Sequence, residues 1–258
     1  MIKMSGVYSL EDLDCHGIKY DLPSPQYCQY CKKPLRPYAI IRDNGQMIWD
    51  FDRNCSCQQS DEFLQKTKEL EIKKKRRDRG ERLKQIGIPR CYFFSEVSND
   101  DVANYLENAE FNHGSGLYIY GPVGVGKTYL ASAVAIKFFE AGYKVKFTNI
   151  TSMISDIKTN SSQFGSKPLA PYLECDVLII DDLGQEKASE WVVMQLYMIV
   201  NKRYEDLLPT IFTSQYSLND YEKRLLSVRG ENSGPAIISR MLQRSVVIPL
   251  TGCDRRRL

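Results

Sequence analysis

Short apolar runs alternate with longer segments of three-to-four periodicity through the last two thirds of the chain, and this alternation predicts strands and helices in turn. Residues 117–120 read as a strand and 127–139 as a helix closed by Gly142. A second strand covers 144–150, with Val145 and Phe147 on one face, and a helix covers 152–158. After a polar loop rich in Gly and Ser comes a short helix near 168–175. Residues 177–182 are an unbroken apolar run closing on two acids, the pattern of a parallel strand covered on both faces. A helix over 189–205 offers Trp191, Met194, Leu196, Tyr197, Ile199 and Val200 as a broad apolar surface. A strand over 210–213, a helix over 235–243 and a strand over 246–250 complete an α/β pattern, a parallel sheet flanked by helices.

Ahead of this region the pattern changes. Residues 1–27 mix polar and aromatic side chains without a period and predict no element. Residues 38–42 and 46–51 read as two strands around Asp43-Asn44-Gly45, an Asn-Gly hairpin signal. Residues 60–86 have helical length and helix-forming composition, but Lys73-Lys74-Lys75-Arg76-Arg77 is too basic to be buried. Gly87 and Pro89 end that helix. The expected organisation is a small N-terminal domain over 1–60, a basic helical linker over 61–90 and a nucleotide-binding domain over 91–258.

Charge adds detail to the linker. The chain of 258 residues carries a net charge of only +3, yet residues 66–90 hold eleven Lys and Arg against four Asp and Glu. That density suits either a surface that tracks nucleic-acid phosphates or a solvated helix face. The strand segment Lys144-Val145-Lys146-Phe147 is a second candidate surface for single-stranded DNA, since it joins cations to an aromatic ring. No N-terminal stretch resembles a signal peptide, and no apolar run approaches the ~20 residues of a membrane span. A cytosolic protein is expected, in which clustered thiols mean metal more often than disulfides.

Of the eight cysteines, four are clustered: Cys28 and Cys31 in a C-x2-C pair, then Cys55 and Cys57 beyond the hairpin. A close pair on a turn aims two sulfurs at one point, and a second pair completes a tetrahedral thiolate site for Zn²⁺. The predicted domain is therefore zinc-ribbon-like. Cys15, Cys91, Cys175 and Cys253 have no near cysteine partner.

The most informative stretch joins the first strand of the α/β region to its helix. Gly121-Pro122-Val123-Gly124-Val125-Gly126-Lys127-Thr128 fits the phosphate-binding pattern G-x-x-x-x-G-K-[ST], with Tyr129 next to it at the helix start. Inward-facing N–H groups and the helix dipole would cradle phosphates, Lys127 would reach the β- and γ-phosphates of ATP, and Thr128 would offer a hydroxyl to Mg²⁺. Asp181 and Asp182 close a buried strand at the end where α/β sheets place ligand chemistry. Asp181 is assigned to the Mg²⁺ shell and Asp182 to the attacking water.

Asp181-Asp182-Leu183-Gly184 with Glu186 and Trp191, together with Leu208-Pro209-Thr210-Ile211-Phe212-Thr213-Ser214, resembles the AAA+ helicase loaders of the DnaC/DnaI type and their transposition-helper relatives of the IstB type. The resemblance runs from about Cys91 to the C-terminus. It implies a polar sensor at Gln215, where loaders usually carry Asn, an arginine finger at Arg240 and a second sensor arginine at Arg256, with Arg255 as the alternative. It also implies a fold without the helical lid of many AAA+ proteins. The implied function is an ATPase that delivers a hexameric replicative helicase onto single-stranded DNA and self-associates through AAA+ interfaces, with no membrane. Three other readings stand beside it. One is a transposition helper, against which the zinc module argues; one is a zinc-dependent nucleic-acid-binding adaptor with ATP as a structural ligand. The last is a small-molecule kinase, for which no substrate pocket or lid follows Asp182.

Overall fold

A short strand, a one-turn helix and a hairpin build the beginning of the chain in the computed structural model, which describes residues 6–52, 55, 57–108, 113–161, 167–228 and 233–255. Two units divide the chain, Met1–Arg77 and Asp78–Leu258. In the first unit β1 (Gly6–Tyr8) and α1 (Leu10–Cys15) precede the hairpin of β2 (Pro37–Ile41) and β3 (Met47–Phe51). The sheet is antiparallel in the order β1-β2-β3, with Val7 opposite Ile40 and Ala39 opposite Trp49. The Asn-Gly turn forms as its residues demand: Arg42 N–H donates to the Gln46 carbonyl at 3.0 Å, and Gly45 takes φ +78°. β1 and α1 fall where no element was expected, because three- and six-residue elements are too short to display a period. A local signal was present, since Ser9 and Asp12 form a reciprocal capping box. α2 (Gln58–Gln85) follows, and the side chains of Lys73 to Arg77 are all exposed.

The second unit is a five-stranded parallel sheet covered on both faces. After a single 3-10 turn at Arg90–Tyr92 come α3 (Asp100–Asn108), β4 (Gly116–Tyr120), α4 (Lys127–Glu140), β5 (Val145–Asn149) and α5 (Ile150–Ser161). Then follow α6 (Ala170–Leu173), β6 (Val177–Leu183), α7 (Glu190–Glu205), β7 (Thr210–Ser214), α8 (Leu218–Leu226), α9 (Gly234–Arg244) and β8 (Ser245–Pro249). The strand order is β5-β6-β7-β4-β8, every pairing parallel. Leu117, Ile119, Val177, Ile179 and Ile211 face one apolar layer, with α4 and the end of α2. Tyr118, Leu178, Ile180 and Phe212 face the other, under α5, α7, α8 and α9. This alternation explains why the strands read as continuous apolar runs. The fold is that of the AAA+ P-loop class expected from the sequence. No helix among the described residues is long and apolar enough to cross a membrane.

Two short helices escaped the sequence pattern although both carry signals. α8 begins at the cap Ser217, whose hydroxyl accepts from Asp220 N–H, and buries Leu218, Tyr221 and Leu225 at helical spacing. α3 buries Val102 and Tyr105, and the Asn99 side chain accepts from Val102 N–H at 3.0 Å.

The most buried cation among the described residues is structural. Arg203, on α7, is 1% exposed and spends its guanidinium on backbone carbonyls of Tyr172, Cys175, Asp176 and Pro209 at 2.8–3.1 Å, and on the Thr210 hydroxyl at 2.9 Å. It thereby fastens α7 to the turns that lead into β6 and β7. Arg203→Leu would leave these acceptors buried without donors, at roughly 1–3 kcal/mol each. A loss of at least about 3 kcal/mol is expected, read as a lower urea midpoint at unchanged m-value.

Candidate functional site

Because β7 lies between β4 and β6, the carboxyl ends of three strands meet, and each delivers a different group to one cavity of about 580 Å³. β4 delivers the glycine-rich loop. Its first residue, Gly121, donates from N–H to the Ser214 carbonyl at 3.2 Å, tying the loop to the end of β7. Lys127, at the first position of α4, folds its ammonium back onto the carbonyls of Gly121 at 2.9 Å and Pro122 at 2.7 Å. Val123, Gly124, Gly126, Lys127, Thr128 and Tyr129 line the cavity, while Val125 is buried beneath the loop. Gly126 caps α4 at φ +103°, and the nearest atom to a Cβ built there is an Arg255 side-chain atom at 3.8 Å, so the mouth of the cradle is open backbone. Such a glycine-rich loop at a helix start fits a polyphosphate.

β6 delivers the two acids, and the structure separates them. Asp181 is 5% exposed and sits behind Thr128, whose hydroxyl lies 3.1 Å from both carboxylate oxygens; the Thr213 hydroxyl donates to Oδ1 at 2.5 Å. Burial pushes the Asp181 carboxyl up to about 6, with the neighbouring Asp182 charge adding to the rise and the two threonine hydroxyls and Lys127 opposing it. Asp182 instead faces the cavity, with its N–H held by Thr213 Oγ1 at 2.9 Å. A hydroxyl and a carboxylate this close are the oxygen donors that a hard divalent cation takes.

β7 ends at Ser214, and Gln215 follows as an exposed side chain on the cavity wall. The C-terminal segment closes the site. Arg255 N–H donates to the Gly124 carbonyl at 3.0 Å, and its side chain lines the cavity; Arg256 lies outside the described residues. Gly124 has φ +83°, and a Cβ there would overlap the Asp254 carboxylate, so this glycine is fixed by a close approach of another chain segment. Tyr92 and Gln185 also line the cavity and were not singled out in the sequence. Tyr92 stacks edge-on to Tyr129 with ring centres 6.5 Å apart, a contact between residues far apart in the chain that no local pattern encodes.

Arg240 stands elsewhere. It does not line the nucleotide cavity of its own chain. Its Nη1 donates to the Ala236 carbonyl at 3.1 Å, and the guanidinium sits 5.4 Å from the Tyr197 ring centre and 5.6 Å from that of Tyr204. Phe147 is also displaced from its candidate role: it is 4% exposed in the core, and its N–H donates to the Ile86 carbonyl at 2.7 Å, so it offers no ring to a base.

In the N-terminal unit Cys28, Cys31, Cys55 and Cys57 come together, with all four sulfurs within 4.8 Å of one another. The pairs Cys28–Cys57 and Cys31–Cys55 are 3.9 and 3.4 Å apart. Tetrahedral Zn–S bonds of about 2.3 Å place sulfurs roughly 3.8 Å apart, so the set fits zinc. Local structure aims the first pair: Cys28 N–H donates to the Lys33 carbonyl, Lys32 N–H donates to the Cys28 carbonyl, and Lys32 takes φ +61° to close the turn. Backbone hydrogen bonds at Cys31 and Tyr30 lower the Cys28 thiol, whereas hydrogen bonding to Cys31 raises that of Cys55. The second pair stands at the entry to α2, where Asp61 N–H donates to the Cys57 carbonyl.

Comparison with known proteins bears on the second unit. The family described as IstB-like ATP binding protein matches residues 93–258. The replicative helicase loader DnaI of Bacillus subtilis is 29% identical over 173 residues, 65% of this chain and 54% of that protein. The ATP-binding protein of insertion sequence IS5376 from Geobacillus stearothermophilus is 26% identical over 165 residues, 62% of this chain and 63% of the relative. Each match thus spans less than two thirds of the relative's own length. Among solved structures, the DnaC helicase loader superposes with a TM-score of 0.54 at 25% identity, covering 63% of this chain and 100% of that one. A crystal structure of DnaI gives 0.53 at 25% identity, covering 66% of this chain and 95% of that one.

Proposed function

The chain belongs to the IstB-like ATP-binding protein family, and from that premise we propose that it is a cytoplasmic ATPase that loads a hexameric replicative helicase onto single-stranded DNA. The observation that carries the ATPase reading is the convergence of Lys127, Thr128, Asp182, Gln215 and Arg255 on one cavity, with Asp181 behind Thr128. In this reading the ammonium of Lys127 leaves the carbonyls of Gly121 and Pro122 for the β- and γ-phosphates of ATP. Thr128 and Asp181 hold Mg²⁺, which when bound supplies positive charge against the phosphates. Asp182 accepts a proton from the attacking water while Gln215 orients it, and Arg255 or Arg256 reads the phosphates from the C-terminal segment. Arg240, held away from its own cavity, serves the cavity of a neighbouring copy.

Loading is supported by the likeness to DnaI and DnaC in sequence and fold. The exposed cations Lys73 to Arg77 on α2 are the surface we assign to single-stranded DNA, because neutralising phosphates releases counterions. Zinc held by Cys28, Cys31, Cys55 and Cys57 supplies folding energy to the N-terminal unit, which has little apolar core of its own. A second reading, an ATP-dependent helper in transposition, is favoured by the insertion-sequence relative at nearly the same identity. Affinity capture from the source cell in the presence of a non-hydrolysable ATP analogue separates the two. Recovery of a replicative helicase is expected; recovery of a transposase without helicase would overturn the loader reading.

A further inference from the structure

Asp182 lies at the carboxyl end of β6, and the turn that follows it toward α7 is held from outside the phosphate-binding loop. Asp182 adopts φ +57°, uncommon for a residue with a Cβ. Its carbonyl accepts from Gln185 N–H at 3.1 Å. Gly184 follows at φ +95°, where a Cβ would lie 2.7 Å from the Tyr216 ring. The Gly184 N–H donates to Glu186 Oε2 at 2.7 Å, and Oε1 accepts from the Tyr221 hydroxyl, on α8, at 3.1 Å. Arg224, also on α8, donates from Nη2 to the Glu186 carbonyl at 3.1 Å and lies 5.6 Å over the Tyr216 ring.

Glu186 is 4% exposed and does not line the nucleotide cavity, and burial raises its carboxyl. A carboxylate is costly in such surroundings unless its hydrogen bonds are needed. They lie beside a joint between two strands' ends. Ser214 Oγ donates to the Leu183 carbonyl at 2.7 Å and accepts from Tyr216 N–H at 3.1 Å, while the Tyr118 hydroxyl donates to the Tyr216 carbonyl at 2.8 Å. Gln215 sits between Ser214 and Tyr216, inside this web.

We infer that Glu186 is a positioning residue: its carboxylate closes the Gly184 turn and, through the Tyr221 hydroxyl, fastens the end of β6 that carries Asp182 to α8 and the segment before it that carries Gln215. The two polar groups facing the attacking water are then set at one distance by a single buried network. This rests on the reading of Asp182 and Gln215 as water-handling groups. The phosphate cradle is built on β4 and α4 and does not depend on Glu186, so chemistry and binding should separate.

Three variants of the full chain test the inference: Glu186→Ala, Glu186→Gln and Tyr221→Phe. Glu186→Ala is expected to bind a fluorescent ATP analogue as the wild type does, yet to turn over on the order of 10²-fold more slowly, the cost of a misplacement of about 1 Å. Its amides at 182–185 should exchange hydrogen faster. Glu186→Gln still accepts from Gly184 and still meets the Tyr221 hydroxyl, so it should restore both turnover and protection; Tyr221→Phe should fall between. Wild-type exchange in Glu186→Ala would overturn the clamp, as would equal failure of the Ala and Gln variants. Loss of turnover matched by loss of nucleotide affinity would also overturn it. A wild-type protein without turnover would instead count against the ATPase reading, and the exchange comparison would still decide the clamp.

Discussion

Arg240→Ala is expected to bind ATP normally and to lose turnover by about 10³-fold, the low end for an arginine that reaches a phosphoryl group from a neighbouring chain. The geometry behind this is the separation of Arg240 from its own cavity. On α9 its guanidinium is gripped between Tyr197 and Tyr204, and its Nε is buried with no hydrogen-bond partner among the described residues. The guanidinium is always charged, and its planar fork matches a phosphate presented by a neighbouring copy. Turnover per chain should therefore rise with protein concentration. A mixture of Arg240→Ala with Lys127→Ala should recover part of the rate, because one interface in the mixture joins an intact cradle to an intact arginine. A steady-state assay across a dilution series checks both points. Full activity of Arg240→Ala alone, or of dilute monomer, would show that the site is complete within one chain.

Zinc removal should have a comparably large effect, confined to the N-terminal unit. Elemental analysis is expected to give one zinc per chain. Chelation, or Cys31→Ser, should expose the segment from β1 to β3 to protease while ATP-analogue binding persists, because the nucleotide cavity is built wholly from the second unit. A structural zinc contributes about 10–16 kcal/mol of apparent binding free energy in small modules, far more than three short strands can supply. Folded, protease-resistant protein free of zinc would refute the assignment.

The N-terminal elements show where local pattern gives out. β1 is three residues long, and its place at the sheet edge depends on pairing with Ile40 and its neighbours some thirty positions away. A single strand of that length carries no period, so only the pairing reveals it. The hairpin of β2 and β3 was legible because the Asn-Gly turn is a property of two adjacent residues.

In the second unit the sequence alone determined the phosphate-binding loop, the buried acidic strand and the parallel α/β class, since each depends on residues adjacent in the chain or on two-sided burial that leaves an unbroken apolar run. It also determined the four-cysteine set, through spacing. The tertiary structure decided everything that depends on strand order. Placing β7 between β4 and β6 brings Gln215 beside Asp182, puts Asp181 behind Thr128 and leaves Arg240 outside the cavity. It chose Arg255 N–H as the partner of Gly124, buried Phe147, and made Arg203 a fastener rather than a surface cation. Such outcomes follow from packing between segments distant in sequence, where side-chain burial and hydrogen-bond satisfaction are settled together and no short stretch holds the information.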